Sequence, residues 1–202
     1  MAQRVFLLSP ASCTGKRAGQ LLDPRAEFEL ARRVRGEGAP LGEVFSFCSA
    51  LYFRGKLTYA QRFAPPQRVF VITPSRGLVS PDLGTGCELL REFAAVPIDA
   101  AEPRYAAALR DSVLALREGL PRRTEVVLLG SIATAKYVDV LLPVFAKSLL
   151  FPPDFVGRGD MSRGGLLLRA ARDRKELAYQ PVDGAERHGA RPARLARSTA
   201  RT

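Results

Sequence analysis

The sequence contains a single histidine, His188, and its only cysteines are Cys13, Cys48 and Cys87. Catalytic triads and most histidine-ligated metal sites need a histidine beside the reacting groups, but His188 lies in a basic segment near the end of the chain. The cysteines are odd in number and widely spaced, without the paired spacing of a zinc site. We therefore predict no metal and no cofactor, and neither a Ser/His/Asp hydrolase nor a Cys/His protease.

Long hydrophobic runs are also missing. The apolar run at residues 5–8 is too short for the core of a signal peptide, and Ser9 and Pro10 end it. No other run approaches the roughly 20 apolar residues that a transmembrane helix needs. These absences predict a cytoplasmic protein with reduced thiols and no membrane partner.

Acidic residues are outnumbered, 20 against 31 basic ones, which gives a formal net charge of +11. A polyanionic partner such as nucleic acid fits this charge, because neutralised phosphates release counterions and drive association. Only five of the basic residues are lysines, so an arginine-rich coding bias is the alternative cause. Residues 184–202 contain five arginines and one glutamate, and we predict that they form a disordered basic tail.

Apolar runs rich in β-branched and aromatic residues alternate with segments of helical spacing. We predict strands at residues 5–8, 69–72, 126–129, 148–151 and 177–182. We predict helices at residues 15–22, 24–35, 42–63, 88–95, 103–119, 132–145 and 162–172, with an N-cap at Asp23 and an interruption near Gly55. This alternation indicates one compact α/β domain over residues 1–183, with a mixed, largely parallel sheet flanked by helices.

The first loop has the order of a phosphate-binding loop, because a Gly-Lys pair follows a strand and opens a helix. It does not match a Walker A motif, since Pro10 stands where glycine is needed and Arg17 where serine or threonine is needed. A P-loop NTPase is therefore excluded. Ser9, Ser12 and Lys16 are candidates for holding an anion at the helix start, with a capping turn as the alternative.

Two further segments combine cations with groups that contact nucleic acid. Tyr52 and Lys56 flank a glycine, as in a loop that stacks a base and contacts phosphate, although core aromatics at a helical kink explain the same pattern. Arg76 and Asp82 lie in a turn-rich loop after the strand at residues 69–72, where open α/β sheets bind ligands. The alternative for Asp82 is that it caps a turn.

Residues 157–165 hold two arginines, one carboxylate and four glycines just ahead of an apolar helix. Asp160 or Ser162 can cap that helix, while Arg158 and Arg163 can bind a phosphate or Asp160 itself. A capped helix start with solvated arginines explains the carboxylate and the hydroxyl, but not the density of glycine and arginine. We favour a functional loop.

Several of these segments occur in the order found in the YaaA-like family, which is linked to the bacterial response to peroxide stress. Residues 8–11 resemble its N-terminal strand and loop, residues 76–82 its Tyr-Gly-hydrophobic-x-x-Pro loop, and residues 126–137 its strand-to-helix segment ending in tyrosine. Residues 158–163 resemble its Arg-Gly-x-Met-Ser-Arg motif most closely. The resemblance implies a mixed α/β fold with a basic cleft that binds duplex or distorted DNA. The chain departs from the family at Arg76, where tyrosine is usual, and has no recognisable helix-hairpin-helix element.

The first hypothesis is a YaaA-like nucleic-acid-binding protein, most simply a DNA-binding one, that acts in stress response or DNA protection. Four loops would converge on one basic cleft, in which arginines contact phosphate and a tyrosine stacks on a base. The predicted binding residues are Ser9, Ser12, Lys16, Tyr52, Lys56, Arg76, Ser131, Lys136, Tyr137, Arg158, Ser162 and Arg163.

Two alternatives stay open. One is an enzyme acting on a nucleotide or a modified nucleobase, as a hydrolase, glycosylase or transferase, with Asp160 or Asp82 as general base and Arg158 and Arg163 on the phosphate. The other is a protein-interaction domain whose arginines reflect genome composition and scatter over the surface. The sequence indicates no oligomeric state.

Overall fold

A computed structural model describes residues 3–190, 192 and 193 of the chain. Its strands are β1 (Arg4–Leu8), β2 (Ala39–Pro40), β3 (Val69–Ile72), β4 (Leu78–Val79), β5 (Gly84–Thr85), β6 (Glu125–Leu129), β7 (Leu149–Phe151) and β8 (Gln180–Pro181). Its helices are α1 (Lys16–Leu22), α2 (Glu29–Arg35), α3 (Leu41–Ser49), α4 (Leu51–Phe63), α5 (Cys87–Ala94), α6 (Pro103–Gly119), α7 (Ala135–Phe145) and α8 (Asp160–Arg172).

Six strands form the central sheet in the order β4-β3-β1-β6-β7-β8. β3, β1, β6 and β7 are parallel, and the short strands β4 and β8 add antiparallel edges. The parallel strands are almost entirely apolar because both faces of a parallel sheet are covered by helices. β2 and β5 form a separate antiparallel pair. The predicted α/β domain with a mixed, largely parallel sheet is confirmed.

Alternate side chains of β1 belong to two hydrophobic cores. Phe6 and Leu8 pack in the core under α1 to α5 and α8, while Val5 and Leu7 pack in the core under α6 and α7. The chain leaves β1 through the first helical layer towards β3 and leaves β6 through α7 towards β7. The two connections run over opposite faces, so a crevice opens where the carboxyl ends of β1 and β6 lie side by side.

Two predicted helix boundaries were wrong. The helix predicted after Asp23 begins only at Glu29, because the Asp23 carboxylate accepts the Arg25 backbone N–H at 2.9 Å and stabilises a turn instead. The interruption predicted near Gly55 lies at Ala50, whose φ of 47° separates α3 from α4. α4 is continuous through Gly55.

Gly55 and Gly164 form the contact at which α4 and α8 cross. A Cβ atom on Gly55 would lie 2.7 Å from the Gly164 carbonyl oxygen, and one on Gly164 would lie 2.6 Å from the Leu51 carbonyl oxygen. Only glycine allows two helix backbones to approach this closely. The crossing brings the first half of α4 against the start of α8.

Part of the predicted tail contacts the domain. Ala185 packs against the core under α6 and α7, and the Arg158 guanidinium donates to the Ala193 carbonyl oxygen at 3.4 Å. The rest of the predicted tail, residues 191 and 194–202, lies outside the described residues. Within the described chain, no helix combines the length and the apolar character needed to cross a membrane.

Candidate functional site

A pocket of about 280 Å³ lies in the crevice at the carboxyl ends of β1 and β6. Ser9 directly follows β1, and Ser131 follows β6 after Gly130. A Cβ atom on Gly130 would lie 3.0 Å from the Ser9 Cβ, so the glycine lets the two strand ends approach. The lining residues of this carboxyl-edge pocket are Ser9, Pro10, Ser12, Cys48, Ser49, Tyr52, Ser131, Tyr137 and Asp160.

Six of the predicted site residues therefore lie together: Ser9, Ser12, Tyr52, Ser131, Tyr137 and Asp160. Three separate elements supply the larger side chains. Tyr52 comes from the first turn of α4, Tyr137 from the first turn of α7 and Asp160 from the start of α8. The Tyr105 hydroxyl donates to the Lys136 carbonyl at 2.9 Å and so holds the beginning of α7 in place.

Lys56 lies behind Ser9 with no exposed surface. Its ammonium donates to the Ser9 carbonyl oxygen at 2.5 Å and to Ser9 Oγ at 2.8 Å, and it lies 4.2 Å from the centre of the Tyr52 ring. Burial lowers the pKa of Lys56 to about 7, with the Asp160 carboxylate opposing that shift and the Arg163 guanidinium adding to it. A neutral amine is therefore accessible at physiological pH.

The two pocket tyrosines stay protonated. Burial raises the pKa of Tyr52, and the nearby Arg163 guanidinium opposes the rise through its charge and its proximity to the phenol oxygen. No described residue meets both the distance and the angle of a hydrogen bond to the Tyr52 hydroxyl. Burial also raises the pKa of Tyr137 to about 12, and interaction with the Ser9 side chain opposes the rise. Both phenols keep the proton with which a hydroxyl donates a hydrogen bond.

Arg163 is not placed to bind phosphate, and Lys56 is not either. The Arg163 guanidinium is buried, donates to the Phe155 carbonyl oxygen at 3.0 and 3.1 Å, and lies 3.5 Å from the Asp160 carboxylate. Lys56 is enclosed behind Ser9. The phosphate contacts predicted for these two cations need correction, because their charges face the interior and hold the walls of the pocket.

Other predicted cations lie on the segments that form the pocket. Lys16 and Lys136 are exposed, the first in α1 beyond Ser12 and the second beside Tyr137. Arg158 is partly exposed and donates to the Asp154 carbonyl at 2.9 Å and to Ser162 Oγ at 3.2 Å. We call Lys16, Lys136 and Arg158 the rim cations. Ser162 acts here as a partner of Arg158 and does not line the pocket.

The predicted loop that contains Arg76 and Asp82 does not lie at the pocket with the other three. Arg76 forms two hydrogen bonds to Glu92, at 2.9 and 2.7 Å, and these together with a bond from Ser75 lower the pKa of Glu92 to about 2. Asp82 is exposed in a turn, where its backbone N–H donates to Ser80 Oγ at 3.1 Å. The expectation of four converging loops is therefore corrected to three.

Three lining residues were not predicted: Pro10, Cys48 and Ser49. Cys48 and Ser49 come from the end of α3, and only the break at Ala50 turns them towards the strand ends. Burial raises the pKa of the Cys48 thiol to about 11, so it is unreactive at neutral pH. Among the described residues, no group of three histidine, cysteine or acidic side chains is placed to hold a metal ion.

Comparison with protein-family models, with curated proteins and with solved structures found no match for this chain.

Proposed function

We propose that this protein binds nucleic acid, most simply DNA, and that the carboxyl-edge pocket receives one nucleotide unit of it. The observation that carries the proposal is Tyr52, a residue of the pocket lining whose hydroxyl is buried and has no hydrogen-bond partner in the described chain. A buried unpaired hydroxyl costs about 1–3 kcal/mol, and a polar ligand atom in the pocket removes that cost.

The remaining walls suit the sugar and base of a nucleotide. Serine hydroxyls and the Asp160 carboxylate accept hydrogen bonds from amino and hydroxyl groups, and Tyr137 donates. The volume of about 280 Å³ is at the lower end for small-molecule sites and fits one unit rather than a longer stretch of chain. A single unit can enter only when it is unpaired or turned out of a duplex, so single-stranded or distorted DNA is the favoured form.

The rim cations bind the phosphates of the nucleic acid outside the pocket. Phosphate contacts position a nucleic acid, and contacts to the base or sugar select among ligands. This division agrees with the YaaA-like resemblance and its implied role in stress response or DNA protection. A cytoplasmic location belongs to the same proposal and is supported by three cysteines that are all free thiols.

We expect binding of a fluorescent single-stranded oligonucleotide, followed by anisotropy, to weaken steeply with salt. Replacing Lys16 and Lys136 by alanine removes two phosphate contacts, so the log–log salt slope falls by about 1.4 and the affinity falls about tenfold. The matched control is Arg62→Ala with Arg174→Ala, which removes two exposed cations from a groove at the amino edge of the sheet. A flat salt response, or equal losses in the two double variants, would contradict the proposal.

Tyr52→Phe tests the pocket itself. We expect it to weaken oligonucleotide binding about fivefold, the effect of one hydrogen bond of about 1 kcal/mol, without lowering the stability of the free protein. The control is Tyr59→Phe, since the Tyr59 hydroxyl accepts the Leu177 N–H at 2.8 Å and bonds Tyr179 away from the pocket. That variant should lose stability and keep its affinity. If Tyr52→Phe binds as tightly as the unaltered protein, the ligand does not use this pocket.

A further inference from the structure

Lys56 and Ser9 form a buried pair without a carboxylate. The Lys56 nitrogen contacts only the carbonyl oxygen and the hydroxyl of Ser9 as hydrogen-bond partners within the described chain. Its remaining surroundings are the rings of Tyr52 and Phe53, whose centres lie 4.2 and 5.0 Å away. Asp160 acts on it only at longer range.

Such a lysine is costly for the fold. A fully buried ammonium without a paired anion is destabilising, and an apolar side chain of similar length would fill the same space without that cost. Perturbed ionisable groups of this kind cluster at functional sites. The burial of Lys56 beside Ser9 therefore indicates a chemical role for the two residues rather than a structural one.

The geometry divides the roles between the two residues. Ser9 lines the pocket, so its hydroxyl meets the ligand, while Lys56 lies behind it and reaches only Ser9. In the structure the Lys56 ammonium donates to Ser9 Oγ at 2.8 Å, and the Ser9 hydroxyl donates to the Leu129 carbonyl oxygen at 3.3 Å. When the amine is neutral, the same 2.8 Å contact lets the hydroxyl donate to Lys56 Nζ instead, at the distance of a nucleophile and its base. The only histidine, His188, does not line the pocket, and lysine can take the place of histidine in serine catalysis.

We propose that Ser9 is a nucleophile, that Lys56 is its general base, and that the pair cleaves a carboxylic ester carried by the nucleotide unit in the pocket. The nucleotide part of this substrate rests on the proposed function, whereas the reactivity of Ser9 does not.

Ester cleavage by Ser9 involves no oxidation or reduction and needs only water as a second reactant. Ser9 Oγ attacks the ester carbonyl carbon while its proton passes to the neutral Lys56 amine, and the Tyr52 hydroxyl donates to the oxyanion that forms. The carbon–oxygen bond of the ester then breaks, and the leaving alkoxide takes a proton from a water molecule. The hydroxide so formed attacks the acyl-Ser9 ester and releases the carboxylic acid, and Ser9 Oγ takes back its proton from the Lys56 ammonium.

The lining favours a neutral carbonyl over a phosphate as the group that is attacked. The described lining residues include the Asp160 carboxylate and no lysine or arginine. Lys56 and Arg163 lie behind the lining, where Ser9, Phe155 and Asp160 already bind them, so a phosphate at Ser9 would meet a carboxylate without a cation in the pocket wall to bind it. Glycosidic cleavage commonly uses a pair of carboxylates, and Asp160 alone is present. Cys48, with its raised pKa, is no competing nucleophile.

The test uses the full chain and a fluorophosphonate ester, an uncharged probe that bonds to a reactive serine oxygen and releases fluoride. We expect labelling at Ser9, located by peptide mass spectrometry, and none in Ser9→Ala. Ser80→Ala removes an exposed hydroxyl outside the pocket and should label like the unaltered protein. Lys56→Met should slow labelling at least about 100-fold, the usual contribution of a general base.

The pH profile separates catalysis from anchoring. With Lys56 as base, the labelling rate rises tenfold per pH unit up to about pH 7 and then levels, whereas activation by hydroxide continues to rise. This readout uses the unaltered protein and so does not depend on whether Lys56→Met folds. Unlabelled Ser9, or a rate that does not level, would overturn the inference.

Failure of this inference is distinguishable from failure of the proposed function. If the protein binds oligonucleotides but Ser9 does not react with the probe, the esterase proposal is wrong and the nucleic-acid-binding proposal stands. If Ser9 reacts and the protein hydrolyses p-nitrophenyl acetate with the same pH profile, but binds no oligonucleotide, Ser9 is a nucleophile whose substrate is not a nucleotide.

Discussion

Gly164→Ala is expected to lower the free energy of unfolding by about 3 kcal/mol, at the upper end of typical overpacking losses. A Cβ atom at this position would lie 2.6 Å from the Leu51 carbonyl oxygen and 2.9 Å from the Tyr52 Cα. These are backbone atoms of α4, so no side-chain rotation relieves the overlap. The two helices must move apart, and contacts along their whole interface weaken.

The same displacement acts on the carboxyl-edge pocket. α4 carries Tyr52 and Lys56, and α8 carries Asp160 and Arg163, so their separation changes both walls at once. We therefore expect Gly164→Ala to weaken oligonucleotide binding and to slow labelling of Ser9 at temperatures where the variant is still folded.

Urea unfolding followed by circular dichroism measures the stability change, with Gly19→Ala as the matched control. Gly19 lies in α1, is exposed, and has no atom within 4 Å of an added Cβ. In a helix, alanine there is expected to stabilise by up to about 1 kcal/mol. If Gly164→Ala is also neutral or stabilising, α4 and α8 do not cross at this distance.

The glycines of residues 157–165 show why sequence reasoning located the right segment for partly the wrong reason. Their density predicts a functional loop. In the structure Gly164 admits another helix, and its partner Gly55 lies 109 positions earlier in the chain, where the sequence predicts a helix interruption. A helix crossing is set by pairs far apart in sequence, and no local pattern reveals them.

The strand ends were easier to predict. An apolar run followed by serine recurs after β1 and, with one glycine between, after β6, and parallel strands place their carboxyl ends at one edge of the sheet. Ser9 and Ser131 meet there for that reason. Which strands are neighbours depends on the whole sheet and cannot be seen in one segment. β3 lies on the side of β1 opposite to β6, so the loop with Arg76 and Asp82 does not line the pocket between β1 and β6.

The charged residues were predicted by type and not by environment. The sequence predicts phosphate contacts for arginine and lysine because most of these side chains lie at the solvent-exposed surface of proteins. The burial of Lys56 and Arg163 results from the packing of α4, α8 and the segment before α8, with Phe155 and Ser9 as partners. A cation that binds a buried carbonyl looks in sequence like one that binds a ligand.

The stability of the protein is expected to rise with pH between pH 7 and 9, because of Lys56. The folded pKa of about 7 lies below the ordinary value of 10.5, so in this range the unfolded chain binds more protons than the folded one. The penalty for burying the charge is complete below pH 7, where it reaches roughly 5 kcal/mol, and it disappears above the unfolded pKa. Between pH 7 and 9 the gain is roughly 2 kcal/mol.

Urea unfolding of the unaltered protein and of Lys56→Met at a series of pH values isolates this contribution. The ionisable groups around the Lys56–Ser9 pair are the same in both proteins: Tyr52, Tyr137, Asp160 and Arg163. The difference between the two curves therefore reports on Lys56. We expect the methionine variant to be the more stable one at pH 7, with its advantage shrinking by roughly 2 kcal/mol by pH 9. Parallel curves would mean that Lys56 keeps its ordinary pKa in the fold, and the amine would then be too fully protonated at neutral pH to act as the base for Ser9.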